Sequence, residues 1–136
     1  MSQLQIAVVV GSLRKDSYNR QFAEALVKLL PEGAKASFVR IDDLPLYNQD
    51  DDAHQAPQVQ RLRDEIKAAS AVLFVTPEYN RSIPGVLKNA IDHASRPWGK
   101  SVWGGKPVGV VGVSVGAAGT CMAQQHLRNV ISYLNM

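Results

Sequence analysis

The sequence predicts a doubly wound α/β fold, in which helices cover both faces of one parallel sheet. Apolar, β-branched runs alternate along the chain with segments whose apolar residues recur every three or four positions. The first and third of these runs, at residues 4–10 and 71–75, are nearly continuous in apolar residues rather than apolar at every second residue, which is typical of strands buried on both faces. The length of 136 residues is that of one ordinary domain, so we expect a single domain over residues 1–136.

The elements follow one another in a regular order along the sequence. Strands are expected at residues 4–10, 37–41, 71–75 and 107–113. Helical spacing gives inward-facing residues Phe22, Ala23, Leu26, Val27 and Leu30 in the first helix, Val59, Leu62, Ile66 and Ala69 in the second, and Ala123, Leu127, Val130 and Leu134 in the fourth. Pro31 and Gly33 end the first helix, Pro57 fits the first turn of the second, and Pro84 opens the third.

Composition and charge exclude several classes of function. With 46% hydrophobic and 20% charged residues, and no apolar run near the roughly 20 residues of a membrane helix, we expect a soluble, cytoplasmic protein without a membrane partner. Cys121 is the single cysteine, which excludes an internal disulfide and a cysteine metal cluster. The net charge of +3 is scattered along the chain, which favours small phosphorylated ligands over nucleic acid.

In open sheets of this kind, ligands bind outside the carboxyl ends of the strands, near the point where the strand order reverses. The loops after the first, third and fourth predicted strands are rich in small, polar or conformationally special residues. They comprise residues 11–20, 76–85 and 114–120. We expect a ligand site where these three loops meet.

The loop after the first strand leads directly into a helix. Its polar side chains include Ser12, Arg14, Ser17 and Asn19. With the unpaired N–H groups of the helix start, these hydroxyl, guanidinium and amide groups suit a phosphate dianion. A plain helix cap, with the arginine in solvent, explains the same residues equally well. Gly11 stands alone, so the dinucleotide-binding pattern G-x-G-x-x-G is excluded.

The loop after the third strand lies between Pro77 and Pro84, which restrict its conformations. Such a loop suits the edge of a planar heteroaromatic ring, with Tyr79 beside it, although an ordinary strand-to-helix turn is the alternative. Glu78 has no evident catalytic partner in the sequence, so we expect it to accept backbone hydrogen bonds rather than act as a general base. The glycines of the third loop allow either close approach of a ligand or plain loop geometry.

These residues resemble the flavodoxin-like NAD(P)H-dependent FMN reductases, a family that includes bacterial quinone, chromate and azo-dye reductases. The resemblance spans essentially the whole chain and rests on residues 11–14 with Ser17 and Asn19, on 76–80 and 84–92, on 105–107 and on 126–128. It implies an enzyme that passes electrons from NADPH or NADH through bound FMN to a small acceptor: a quinone, flavin, chromate, azo or nitro compound. It also implies a homodimer or homotetramer.

The resemblance implies cofactor-binding roles and no catalytic side chain, because the chemistry takes place on FMN. The FMN phosphate would be held by the loop of Ser12, Leu13, Arg14, Ser17, Tyr18 and Asn19. The isoalloxazine ring would be bordered by Pro77, Glu78, Tyr79 and Asn80, with Ser114 and Gly116 towards its other edge. A flavodoxin-like electron carrier without its own NAD(P)H oxidase activity is the alternative, but such carriers are strongly acidic and this chain is basic.

The family pattern continues into a fifth strand and a fifth helix, in a sheet of order 2-1-3-4-5. The sequence up to Met136 supplies neither of these elements. We therefore expect either a truncated chain or a sheet with an unusual edge at its fourth strand. The loops expected to hold the phosphate and the ring follow inner strands, so the site itself would be retained.

Acidic and histidine residues elsewhere do not predict a metal site. The carboxylates of residues 50–52, close to His54, diverge in an extended loop. His93 and His126 each lie on a predicted helix with no second ligand at four-residue spacing. We therefore expect no bound metal.

Five further residues could be connected with function. Cys121 has no neighbouring base in the sequence, so we expect a buried structural thiol. Trp98 and Trp103 lie in a loop that we expect to be exposed, where they fit either a subunit interface or core packing. Arg81 and Arg96 are expected near the mouth of the site, where they could attract the phosphates of the nicotinamide dinucleotide.

Overall fold

Strands and helices alternate in the computed structural model, which describes residues 3–136; the first two residues of the predicted domain lie outside the described part. The strands are β1 (Leu4–Val10), β2 (Ala34–Phe38), β3 (Ala71–Val75) and β4 (Val108–Val111). The helices are α1 (Tyr18–Val27), α2 (Pro57–Ala68), α3 (Gly85–Ala94) and α4 (Cys121–Tyr133), and a short 3-10 helix spans Gln49–Asp51. This is the alternation that the hydrophobic pattern predicts.

The four strands form one parallel sheet in the order β2-β1-β3-β4, which confirms the predicted order of these strands. Val10 at the end of β1 pairs with Val75 at the end of β3, and Val75 pairs in turn with Val111 at the end of β4. The carboxyl ends of these three strands are therefore level. The loops that follow them start side by side.

Helices cover both faces of the sheet, as the apolar runs predict. Ala7 and Val9 of β1 belong to a large core that includes buried residues of α2, α3 and α4. Val8 and Val10 point to the other face, where they pack with Ala23 of α1. The predicted doubly wound α/β architecture is thus confirmed.

The limits of two strands differ from the prediction. β2 lies at residues 34–38 rather than 37–41, because it pairs with β1 from the first residue of that strand, Leu4 with Ala34. Val39 and Ile41 are buried in the core after β2 ends, which explains why their pattern resembled a strand. β4 ends at residue 111 rather than 113, because the backbone of Val113 bonds to the side chain of Asn19.

The inner faces of two helices also differ in detail. Ala23 is the buried hydrophobic residue of α1, while the others predicted there are half-buried; three of them, Leu26, Val27 and Leu30, line an open apolar groove of about 440 Å³. In α4, Ala123 and Leu127 are buried as predicted, but Ile131 takes the third inner position. Pro84 is the residue before α3 rather than its first residue.

Trp103 corrects the expectation of an exposed aromatic pair. Its ring is fully buried against Phe74, and its indole N–H donates a hydrogen bond of 3.0 Å to the carbonyl oxygen of Ile91. Core packing, one of the two explanations left open by the sequence, therefore applies to this residue. Trp98 is 76% exposed, as expected.

Candidate functional site

Three loops lie together at the carboxyl edge of the sheet: the first loop (residues 11–17), the second loop (76–84) and the third loop (112–120). Backbone hydrogen bonds continue the sheet into them, from Gly11 N–H to Val75 C=O and from Thr76 N–H to Val111 C=O. At Gly112 a Cβ atom would lie only 2.1 Å from the Thr76 carbonyl oxygen. The second and third loops therefore approach each other at a distance that only glycine allows.

The first loop presents donors for an anion. Ser17 caps α1 by accepting a hydrogen bond from the Arg20 N–H, while the N–H groups of Tyr18 and Asn19 precede the residues that can pair within the helix. The first turn of α1 contains no acidic residue. The Arg14 guanidinium is exposed and lies 5.3 Å from the centre of the Tyr18 ring. This loop thus combines the positive end of a helix dipole with an exposed cation.

Asn19 points inward, away from the exposed donors of the first loop. Its side-chain N–H donates to the carbonyl oxygen of Val113 at 3.0 Å, and its side-chain oxygen accepts from the N–H of the same residue at 3.0 Å. Asn19 is only 4% exposed. The amide that the sequence placed at the phosphate is therefore engaged with the start of the third loop.

The second loop is a tight reversal. Tyr79 and Ser82 exchange two backbone hydrogen bonds, of 2.9 and 3.0 Å, across Asn80 and Arg81. Both central residues have positive φ, 50° and 65°, as in a type I′ turn. The loop is thus held by its own backbone pairing in addition to the prolines, and it leaves Tyr79 half-exposed.

Glu78 ties the second loop to α4. One oxygen of its carboxylate accepts hydrogen bonds from the backbone N–H groups of Met122, at 2.9 Å, and Ala123, at 3.1 Å. The other oxygen lies 3.3 Å from the Arg81 guanidinium. The hydrogen bond from Ala123, followed by those from Met122 and Arg81, holds the pKa of Glu78 below its usual range. The prediction that Glu78 is a structural acceptor of backbone hydrogen bonds is confirmed.

The third loop is closed by a side chain of its own. The Ser114 hydroxyl donates to the Gly119 carbonyl oxygen at 3.0 Å and accepts from the Gly116 N–H at 3.2 Å. The side chain of Ser114 therefore braces the loop. Gly116 is exposed, and a Cβ atom there would make only an ordinary contact, at 3.6 Å from the Ser114 oxygen.

Two expectations about neighbouring residues are wrong. Cys121 is exposed at the first position of α4, because the inner face of that helix begins two residues later at Ala123. Arg96 lies beyond the far end of α3, about 15 Å along the helix axis from the second loop, and its guanidinium contacts the rings of Tyr47 and Trp98. Arg81 lies at the tip of the second loop and is 73% exposed.

Both helical histidines make contacts within the protein. His93 is buried, with its Nε2 2.8 Å from the Pro45 carbonyl oxygen, and Nδ1 of His126 lies 3.0 Å from the Ser82 hydroxyl. Within residues 3–136, no group of three or more His, Cys, Asp or Glu side chains is placed to hold a metal ion. In the same range, no helix has the length and apolar character needed to cross a membrane.

The sequence did not reveal the contacts that fix the loops relative to one another. Asn19 was assigned to the ligand because short polar residues near a helix start often cap or bind. Its partner, Val113, is an apolar residue 94 positions away, and no local pattern links the two. Gly112 was detectable in principle, because a glycine after an apolar strand run marks a close approach of backbone.

Comparison with known proteins adds independent evidence. Residues 4–136 match the sequence model of the family described as NADPH-dependent FMN reductase. The chain is 57% identical over 133 residues to a 2-hydroxy-1,4-benzoquinone reductase from a Burkholderia species, covering 98% of this chain and 73% of that protein. It is 56% identical over 138 residues to a quinone reductase from Pseudomonas putida, covering 100% of this chain and 74% of that protein.

The fold also matches a solved structure. The flavoenzyme NAD(P)H:(acceptor) oxidoreductase FerB from Paracoccus denitrificans superposes with a TM-score of 0.92 at 46% sequence identity. The match covers 96% of this chain and 72% of that protein. The flavodoxin-like arrangement expected from the sequence is thereby confirmed.

Proposed function

This chain belongs to the NADPH-dependent FMN reductase family, and from that premise we propose that it reduces quinones with electrons taken from NADPH or NADH and passed through bound FMN. The observation that carries the proposal is the meeting of three ligand-type loops at the level carboxyl ends of β1, β3 and β4. Quinone is the acceptor best supported, because two similar relatives are named as quinone reductases. Flavin, chromate, azo and nitro compounds are further candidate acceptors.

The first loop fits the phosphate of FMN on the chemistry of its donors. It offers the exposed N-terminus of α1, the hydroxyls of Ser12 and Ser17, and the cations of Arg14 and Lys15. Neither cation forms an ion pair within residues 3–136. A dianion placed there would gain charge-assisted hydrogen bonds without displacing a carboxylate. Leu13 and Tyr18 would flank it from the exposed surface of the loop.

The second and third loops supply the borders of the flavin ring. Pro77, Glu78, Tyr79 and Asn80 form one border, and Ser114 with Gly116 forms part of the other. Glu78 would act by fixing the second loop to α4, since its carboxylate already accepts three hydrogen bonds. Tyr79 is half-exposed, so its ring is free to lie beside a planar ligand.

Bound between the three loops, FMN would supply the redox chemistry: acceptance of a hydride from the nicotinamide and transfer of electrons to the acceptor. The residues of this chain bind and orient the two substrates. A flavin face open to solvent would admit the donor and the acceptor in turn, which gives ping-pong kinetics. Arg81 at the tip of the second loop is positioned to attract the phosphates of the dinucleotide.

Assembly and location belong to the same proposal. Trp98 and Tyr133, 76% and 75% exposed, flank one surface pocket of about 370 Å³. Paired exposed aromatic residues of this kind are typical of a subunit contact, which supports a homodimer or homotetramer. The free thiol of Cys121, the single cysteine of the sequence, supports a cytoplasmic location.

The experiment that tests the proposal is NAD(P)H oxidation by the purified chain, with added FMN and a panel of quinones. We expect a yellow protein that oxidises the nicotinamide only when an acceptor is present, with parallel lines in double-reciprocal plots. Intersecting lines would exclude the ping-pong scheme. A yellow protein that leaves NAD(P)H unchanged would be an electron carrier, and a colourless protein that takes up no FMN would overturn both functions.

A further inference from the structure

The side chain of Asn19 makes hydrogen bonds within the protein rather than pointing to where a ligand would bind. Its carboxamide faces one residue, Val113, and engages both the N–H and the C=O of that residue at 3.0 Å. In a β-sheet, a neighbouring strand likewise satisfies both the N–H and the C=O of one residue. The side chain thus supplies strand-like hydrogen bonds to Val113, two residues past the end of β4 at Val111.

The position of this bond relates two parts of the proposed FMN site. Asn19 lies in the first turn of α1, where the phosphate is expected, and Val113 opens the third loop, where the edge of the ring is expected. Asn19 is only 4% exposed, so its side of the bond is shielded from solvent. Breaking it would leave two part-buried backbone groups of Val113 without these partners.

We propose that Asn19 is a positioning residue that sets the third loop against the phosphate-binding loop, and so acts on flavin binding through Val113 without contacting the phosphate. The inference rests on the proposed function, because it concerns how the FMN site is held in shape. It assigns different roles to neighbouring polar residues. Arg14 binds the phosphate directly, whereas Asn19 orients the border of the ring.

The two roles are separated by comparing FMN with riboflavin, which has the same ring and no phosphate. Asn19→Ala is expected to weaken the binding of both ligands by the same factor, at least about fivefold, which corresponds to about 1 kcal/mol for the lost pair of hydrogen bonds. Arg14→Ala is the matched control, and it is expected to weaken FMN but not riboflavin. Dissociation constants come from quenching of flavin fluorescence, fitted with the active-site concentration so that a smaller folded fraction does not affect them.

A second variant supplies a signature that loss of stability cannot imitate. The carboxylate of Asn19→Asp can accept from the Val113 N–H but cannot donate to its C=O, whereas the protonated acid can do both. Burial, together with the hydrogen bond that only the protonated acid can donate to the Val113 C=O, raises the pKa of the new acid above the ordinary value of about 3.9. Riboflavin affinity, relative to the native chain at each pH, is therefore expected to recover as the pH falls from 8 to 5.

Other titrating groups do not share this pattern. Arg14, Lys15, Asp16 and Arg20 are the charged groups of the first loop and the start of α1, and the third loop has no titratable side chain. Glu78, on the second loop, titrates below its usual range, hence below the pH interval used. All of these groups are also present in the native chain. Dividing the affinity of the variant by that of the native chain at each pH therefore removes their contribution to the pH dependence.

The outcomes are distinguishable. If the native chain binds neither FMN nor riboflavin, the proposed function itself is overturned. If the native chain binds FMN, the inference on Asn19 is overturned by unchanged riboflavin binding in Asn19→Ala, or by an Asn19→Asp affinity that does not rise on acidification. If Asn19→Ala does not fold, the inference is tested by the pH dependence of riboflavin binding to Asn19→Asp alone. Hydrogen exchange of the Val113 amide without flavin should be faster in Asn19→Ala, which lacks the acceptor of its N–H, than in Arg14→Ala.

Discussion

Gly112→Ala tests the closest approach of backbone in the site. The added Cβ atom would lie 2.1 Å from the Thr76 carbonyl oxygen and 2.4 Å from the Thr120 hydroxyl oxygen. Real Cβ atoms are essentially never closer than 3.0 Å to such neighbours, so the two loops must separate by about 0.9 Å. The nearer obstacle is backbone, whose oxygen cannot rotate away. Separation would strain the paired ends of β3 and β4.

The expected loss of stability is at the upper end of the range for overpacked positions, about 3 kcal/mol. For a chain of 136 residues, an unfolding entropy of about 2.1 cal/mol/K per residue gives a total near 0.3 kcal/mol/K. Dividing the first quantity by the second predicts a decrease in Tm of about 10 °C. The flavin loops should also move, so FMN affinity is expected to fall.

The assay is thermal unfolding of the flavin-free protein, followed by circular dichroism. Gly116→Ala is the matched control from the same loop, because its Cβ atom would make an ordinary contact at 3.6 Å. The control is expected to change Tm by no more than about 2 °C. If Gly112→Ala melts no lower than Gly116→Ala, the close approach does not constrain the fold and the reasoning is refuted.

Three further predictions concern single residues of the site. Arg14→Ala should weaken FMN binding by about 1.5 to 3 kcal/mol, the value of a lost charged hydrogen bond, and unchanged affinity in a fluorescence titration would contradict this role. Glu78 has a pKa held below 4.5, so its stabilising contribution is complete above that pH and is lost as the pH falls through the lower folded pKa. The difference in Tm between the native chain and Glu78→Gln should therefore be largest near neutral pH and disappear in acid; a difference that is constant with pH would oppose the assignment. Cys121 is exposed, so a disulfide-exchange reagent should modify one thiol in the native state, and reaction only after denaturation would show that the thiol is buried.

The fold class and the meeting of three polar loops at one edge of the sheet were predictable from the sequence, because they depend on hydrophobic periodicity and on the geometry of parallel sheets. The strand order was predictable only from the resemblance to a family. The run at Ala71–Val75 is apolar throughout and that at Leu4–Val10 is apolar except for Gln5, and both strands have these limits in the structure. The sequence could not place β2, because Val39 and Ile41 are buried by tertiary packing beyond the strand. Burial, rather than strand pairing, produced the pattern there.

The direction of individual side chains was less predictable. Glu78 could be assigned a structural role from the absence of a catalytic partner, but its acceptance of two N–H groups from α4 depends on the fold. The same holds for Trp103, whose indole finds the Ile91 carbonyl only when the loop folds back under α3. Contacts between residues far apart in sequence decide these cases, and no local pattern encodes them.

The tip of the second loop has a consequence for how the protein can change. Asn-Gly is the sequence that forms a type I′ turn with least strain, yet the second central residue here is Arg81, at a φ of 65°. An L-residue in that region costs about 1 kcal/mol, and an ion pair with a 73% exposed guanidinium recovers little of it. The chain therefore keeps a cation at this turn against its own conformational preference. A related protein that did not need a cation to attract the dinucleotide could carry glycine at this position and would be more stable. An arginine or lysine at this position would therefore indicate that the positive charge still has a function.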